Sequence, residues 1–344
     1  MTYWQDIQSV LTLDLPWDKL KGSSILVTGA TGLIGGCLVE VLLSNPHGDY
    51  LVYASGRDEK RFYSRFSYIS HDSRLKFIRY DVSDPLECDI CFDYIIHAAS
   101  NASPNYFVSR PVEIVKSNVI GVCHLIEYGI SHGMKRFLYV SSGEVYGQGD
   151  GKPFTEEDSG YVNCATSRAC YPSSKRAAET LCVSYAEEYG ADVVIVRPCH
   201  IYGPHFSESD NRVYAQFIRN IINGEDIVMK SSGSQYRSWC YVVDCVSGML
   251  TCLLKGERCG VYNIADPKSN ITIKELASLL ASTAGRRVVC SEADSNEAKG
   301  YNRVRQSTFS IERIVELCWC PKTSITEGIS KTLFEVLRGD ASPL

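Results

Sequence analysis

The segment that most limits how this chain can fold is Thr28-Gly29-Ala30-Thr31-Gly32-Leu33-Ile34-Gly35. It follows a short apolar run at 25–28 and opens a helical-period segment at 33–43. Glycine permits the tight turn from strand to helix. It also lets backbone N–H groups at the helix N-terminus approach a phosphate closely. Glycines alone would equally suit an ordinary turn, but the strand before and the amphipathic helix after make this a dinucleotide-binding signal. Gly29, Thr31, Gly32, Leu33, Ile34 and Gly35 are the expected contacts of a pyrophosphate.

The same texture repeats downstream. Apolar runs at 51–54, 75–80, 94–97, 137–141 and 193–197 alternate with helical-period segments at 112–130 and 173–189. Continuous β-branched runs separated by helices predict parallel strands covered on both faces, an α/β fold with a Rossmann-type doubly wound parallel sheet. Residues 23–198 form the expected dinucleotide-binding domain, with segments near 238–265 returning to it. Residues 199–237 and 266–344 form a smaller mixed substrate-binding lobe, with helices expected at 213–223, 245–254, 273–283 and 311–317. Residues 1–22 read as an amphipathic extension that packs on the body or on a neighbouring subunit.

Composition removes several function classes. A net charge of −5, with no block of like charge, argues against nucleic-acid and membrane partners. No apolar stretch is long enough to span a bilayer, and the N-terminus has no export signal, so a cytoplasmic location is expected. The fifteen cysteines mostly lie in apolar segments (Cys37, Cys123, Cys182, Cys252) and read as reduced and buried. Cys88 and Cys91 form a CxxC without a second ligand pair, so no metal is expected.

Other strand ends complete a cofactor site. The second strand should end about 20 residues after the glycines, where an acid would bind the ribose of NAD. Ser55-Gly56-Arg57-Asp58 stands there instead, and Arg57 leaves NADP open. Asp81 and Val82 follow the third strand as candidates for the adenine edge. Ala98, Ala99 and Ser100 follow the fourth, small where the cofactor would pass. Tyr171 and Lys175 share a helix face at i and i+4. An ammonium near a phenol lowers its pKa, so that the phenolate can take a hydroxyl proton as hydride leaves. Ser142, after the fifth run, could share the same alcohol.

These residues resemble the short-chain dehydrogenase/reductase superfamily, in its extended, nucleotide-sugar-modifying branch, the NAD-dependent epimerase/dehydratase family. The matching segments are TGATGLIGG at 28–36, HAAS at 97–100, SNVIG with Asn118, SSGEVYG at 141–147, YPSSK at 171–175, RPCHIYGP at 197–204 and SQYRSWCYVVD at 234–244. The resemblance implies tightly held, recycled NAD and a nucleotide-sugar substrate, most often a UDP-sugar. It implies that Ser142 and Tyr171 hold the sugar 4-hydroxyl and that Lys175 also touches the nicotinamide ribose. His200 stands where relatives often carry Asn near the sugar phosphate. Arg237, Arg305 and Arg212 would reach the diphosphate or sugar.

Within this branch, oxidation at C4 gives a 4-keto sugar and the branches then diverge. A 4,6-dehydratase carries adjacent Asp and Glu after the catalytic hydroxyl; here the first position is Gly143. A plain 4-epimerase usually lacks the glutamate; here Glu144 is present. Glu144 with Arg237 is similar to UDP-glucuronate decarboxylases, in which the C4 ketone accepts the electrons as carboxylate leaves as CO2. The loop Ala102-Ser103-Pro104-Asn105-Tyr106 resembles that subfamily's substrate loop, which implicates Ser103 and Tyr106. The chain is therefore read as a UDP-glucuronate decarboxylase, with 4-epimerase and 4,6-dehydratase as alternatives. A cofactor sensor without turnover would typically lack the Tyr/Lys pair. Relatives often dimerise through two helices from each subunit; 112–130 and 173–189 are the candidates here, with Tyr128, Cys182 and Tyr185 near the seam.

Overall fold

The computed structural model describes residues 2–291 and 304–338. After the N-terminal helix α1 (Tyr3–Val10), strand β1 (Ser23–Thr28) turns through the glycine loop into α2 (Leu33–Ser44). The alternation continues through β2 (Tyr50–Gly56), α3 (Glu59–Arg65), β3 (Leu75–Arg79), β4 (Tyr94–His97), α4 (Pro104–Ser109) and α5 (Pro111–Ser131). It then runs through β5 (Arg136–Val140), α6 (Cys170–Tyr189) and β6 (Val193–Pro198). The later elements are β7 (His200–Tyr202), α7 (Val213–Ile222), β8 (Ile227–Met229), β9 (Tyr236–Tyr241), α8 (Val242–Lys255), β10 (Val261–Ile264) and β11 (Asp266–Thr272). They are followed by α9 (Ile273–Thr283), β12 (Val288–Cys290), β13 (Gln306–Ser307) and the helices Glu312–Val315 and Ile325–Arg338.

Seven strands pair in parallel in the order β3-β2-β1-β4-β5-β6-β10. Ile25, Leu26 and Val27 of β1 and Val193, Val194, Ile195 and Val196 of β6 are fully buried, because helices cover both faces. On one face Leu38 and Leu42 of α2 share a core with Val246 and Leu250 of α8. On the other, Val122, Leu125 and Ile126 of α5 pack with Ala178 and Cys182 of α6. The strand order reverses between β1 and β4. In such sheets ligands bind outside the carboxyl ends of the strands at this point.

A smaller sheet joins β9 to β11 antiparallel and to β7 and β13 in parallel. The stretch 238–265, expected to return to the large sheet, therefore does so only from α8 onward: β9 pairs in the small sheet and β10 in the large one. Helix Ile325–Arg338 was not foreseen. It buries Ile329, Thr332 and Leu333 at helical spacing.

Helix α1 packs on the body of its own subunit. A Thr2/Gln5 capping box starts it, and Tyr3, Ile7 and Val10 are buried. Asp6 pairs with Lys331 at 2.9 Å, Trp4 Nε1 donates to Glu335 at 3.2 Å, and the Tyr3 hydroxyl donates to Glu40 of α2. The expected dimer seam needs one correction. Cys182 is fully buried and Tyr128 nearly so, the latter donating to the carbonyls of Cys88 and Ile90, so neither is available to a partner. The exposed apolar side chains on these two helices are Val112, Val115, Ile120 and Tyr189.

Candidate active site

The glycine loop and the tip of β4 meet at the switch point. Gly29 has φ +67°, and a Cβ on it would stand 2.7 Å from the Cα of Ala99. A Cβ on Gly35 would run into the Gly29 carbonyl. Only glycine serves at either position. Helix α2 begins at Leu33 with no side-chain cap, so the N–H groups of its first turn are free for an anion. Ala98 and Ala99 leave room beside it, and Thr28 Oγ1 accepts from the Ala99 N–H at 3.2 Å. Below, the His97 ring lies 2.8 Å from the same hydroxyl, and burial pushes its pKa down to about 3. These residues fit a dinucleotide pyrophosphate.

At the tip of β2, Gly56 carries no side chain. Asp58 is turned away to cap α3, accepting from the N–H groups of Lys60 and Arg61. Arg57 lies 3.6 Å from Asp81; Arg57 is exposed and Asp81 half-buried. Val82 packs beneath α5, where a Cβ on Gly121 would stand 3.2 Å from its own.

Beyond β5 the chain reaches Ser142, whose hydroxyl accepts from the Glu144 N–H at 3.2 Å. Helix α6 begins at Cys170, so Tyr171 and Lys175 stand in its first turns, and both are buried. The Tyr171 ring stacks on Phe107 of α4 with centroids 4.8 Å apart. Burial pushes the Tyr171 phenol up to about 12; the Ser142 hydroxyl, Arg212 and Ser100 pull it back. Burial lowers the Lys175 ammonium to about 7, while Glu179 opposes the shift. Lys175 Nζ donates to the Val140 carbonyl at 2.8 Å and sits 5.9 Å from the Tyr171 ring centroid. Ser100 donates to Asn118, and Asn118 donates to Ser174 of α6, at 2.8 and 2.9 Å. That chain of amide and hydroxyls fixes the β4 tip against α6.

Glu144 has a partner that sequence reasoning missed. Arg168 meets both of its carboxylate oxygens, at 2.9 and 3.0 Å, and lies over the Phe107 ring at 4.7 Å. Arg237 is not bonded to Glu144. Its buried guanidinium donates to the carbonyls of Tyr236 at 2.9 Å, Arg305 at 3.2 Å and Val304. Burial lowers it to about 10, with the Glu144 charge opposing. Position 143 is closed: a Cβ there would stand 2.7 Å from Cε1 of the buried Phe309.

The remaining expected residues form an outer ring. Ser103 is buried and donates to Asn211. Tyr106 lies under the Arg110 guanidinium at 5.8 Å. Arg212 forks onto Asp210 and donates to Tyr214 at 3.1 Å. The buried Nδ1 of His200 has no hydrogen-bond partner among the described residues, and its ring lies 5.3 Å from Trp239. Burial, then Arg237 and Arg212, lower it to about 3. The Arg305 side chain is exposed.

The sequence model of the NAD dependent epimerase/dehydratase family matches residues 25–265. The chain belongs to this family. Among the family's curated proteins it is similar to UDP-glucuronic acid decarboxylase 6 of Arabidopsis thaliana, 34% identical over 310 residues, covering 89% of this chain and 86% of the relative. Its fold is similar to a dTDP-glucose 4,6-dehydratase from Streptomyces venezuelae solved with NAD, at TM-score 0.79 and 24% identity over 92% of this chain and 97% of that one. A UDP-glucuronic acid 4-epimerase from Bacillus cereus, solved with UDP-glucuronic acid and NAD, gives TM-score 0.79 and 21% identity over 92% and 99%. Like the family, the chain is an NAD-dependent enzyme with a doubly wound sheet. No helix among the described residues is long and apolar enough to cross a membrane.

Proposed function

We propose that the chain is a UDP-glucuronate decarboxylase. The observation that carries this reading is the pair of positions after Ser142. Phe309 fills the space that a first acid would need at position 143, and Arg168 grips both carboxyl oxygens of Glu144. A dehydratase needs two acids here, and a plain epimerase needs neither. The likeness to curated decarboxylases supports the same choice.

In this reading Ser142 and Tyr171 bind the sugar C4 hydroxyl. NAD held by the glycine loop would supply a reversible hydride acceptor for C4. Tyr171 takes the hydroxyl proton, and Lys175 favours the phenolate by its charge. The C4 ketone lies β to the C5 carboxylate, so the C5–carboxyl bond breaks, CO2 leaves, and the electron pair passes into an enolate. A proton from solvent water, relayed by Glu144, which Arg168 positions, is added at C5 in place of CO2. Tyr171 gives its proton back to the C4 oxygen, so that with recycled NAD the cycle would be redox-neutral. Arg212, Arg237 and His200 face the diphosphate and sugar.

We also propose a homodimer through α5 and α6, with Val112, Val115, Ile120 and Tyr189 at the seam, and a cytoplasmic location. Sedimentation as a monomer would reject the dimer.

The test is incubation with UDP-glucuronate, UDP-glucose and dTDP-glucose, read by mass spectrometry. Loss of CO2 from UDP-glucuronate alone is expected. Loss of water from a hexose, or unchanged mass with an inverted C4 by NMR, would overturn the reading.

A further inference from the structure

We propose that the adenosine-ribose end of the dinucleotide site takes a 2′-phosphate, so that this chain binds NADP at least as well as NAD. An NAD site of this fold places an acid at the tip of the second strand, where it bonds the ribose 2′-hydroxyl and repels a phosphate. Here that tip is Gly56. A side chain there would touch Thr31 of the glycine loop in ordinary contact, with Cγ2 at 3.7 Å and Oγ1 at 3.9 Å, so the position faces the loop and is not closed by packing. The next acid, Asp58, is committed to the N–H groups of Lys60 and Arg61 at 2.9 and 3.2 Å.

Two guanidinium groups flank the gap. Arg57 follows Gly56 directly and its side chain is 72% exposed; its partner Asp81 stands 3.6 Å away, a distance and exposure that hold it only weakly. Asp81 is itself engaged by the Ser83 N–H at 3.0 Å. Arg61 reaches back from α3 to donate to the Thr31 carbonyl at 3.3 Å, which brings its charge onto the rim of the glycine loop. A doubly charged phosphate between them would gain charge-assisted, fork-shaped hydrogen bonds that a hydroxyl cannot. Because the family's reaction returns the hydride it takes, a 2′-phosphate far from the nicotinamide is no obstacle to turnover.

The test needs no sugar nucleotide, so it stands or falls separately from the decarboxylase reading. The charcoal-treated full chain would be titrated calorimetrically with NAD, NADP, 5′-AMP and adenosine 2′,5′-bisphosphate. NADP binding at least as tight as NAD is expected, with the bisphosphate about tenfold tighter than 5′-AMP. The R57A/R61A variant should lose about tenfold for NADP and leave NAD unchanged, and G56D should reverse the preference. The proposal is overturned if NADP binds more weakly than NAD to the natural chain. It is also overturned if R57A/R61A, still melting like the natural chain, loses both cofactors equally.

Discussion

Arg168 grips both carboxylate oxygens of Glu144, at 2.9 and 3.0 Å, three residues before Tyr171. The pair lies against the Phe107–Tyr171 stack, so the acid, its clamp and the phenol form one packed unit. The geometry makes Arg168 a positioning residue whose effect is exerted through Glu144.

R168M should therefore lower kcat by about tenfold to a hundredfold with little change in KM, since it mispositions a proton-transfer group. R168K should recover part of the loss, because a point charge replaces a fork. Steady-state kinetics on UDP-glucuronate reads both; equal kcat for all three proteins would refute the clamp.

In the proposed mechanism Tyr171 carries the proton step. Y171F should reduce kcat by about a hundredfold or more while cofactor binding persists. Full activity of Y171F in the mass-spectrometric assay would remove the phenol from the mechanism.

Position 143 is closed by Phe309, so G143A should destabilise the protein by about 1–3 kcal/mol through overpacking. The double variant G143A/F309L should recover most of that, since the two sites share one space. Additive losses in urea unfolding would mean that the two positions do not share one space, and no loss for G143A alone would mean that the ring moves aside freely.

His97 gives an acid-side signature. Its pKa falls to about 3 in the folded chain from an ordinary value of 6.5. The unfolded chain therefore binds the extra proton between those values, and stability is present above pH 6.5 and lost as pH falls toward 3. The loss is roughly 1.4 kcal/mol per pH unit per proton. An H97N variant should show a shallower fall in melting temperature over this window than the natural chain; identical slopes would refute the assignment.

What the sequence made readable was local. The glycine loop, the parallel runs and the start of α6 follow from period and turn chemistry within a few residues, and β1 to β6 fall within two residues of where they were expected. What it hid was tertiary. Nothing near Arg168 marks Glu144 as its partner, because the two meet only when the β5 tip packs on α6. Phe309 reads as one more core aromatic until the fold lays its ring over Gly143. The motif around Arg237 was legible, yet its strand joins the small sheet, and the guanidinium turns to carbonyls at Val304 and Arg305, which no periodicity announces. The helix Ile325–Arg338 had a readable apolar spacing and was overlooked.

The first helix is anchored to the last. Asp6 meets Lys331, and Trp4 meets Glu335. During synthesis Tyr3 can meet Glu40 of α2 early, but Asp6 and Trp4 must wait for nearly the whole chain. The two ends of the described fold thus lie side by side. A circular permutant that joins them by a short linker and opens at a distant surface loop should keep its core, because the seam being moved is a connection and not a contact.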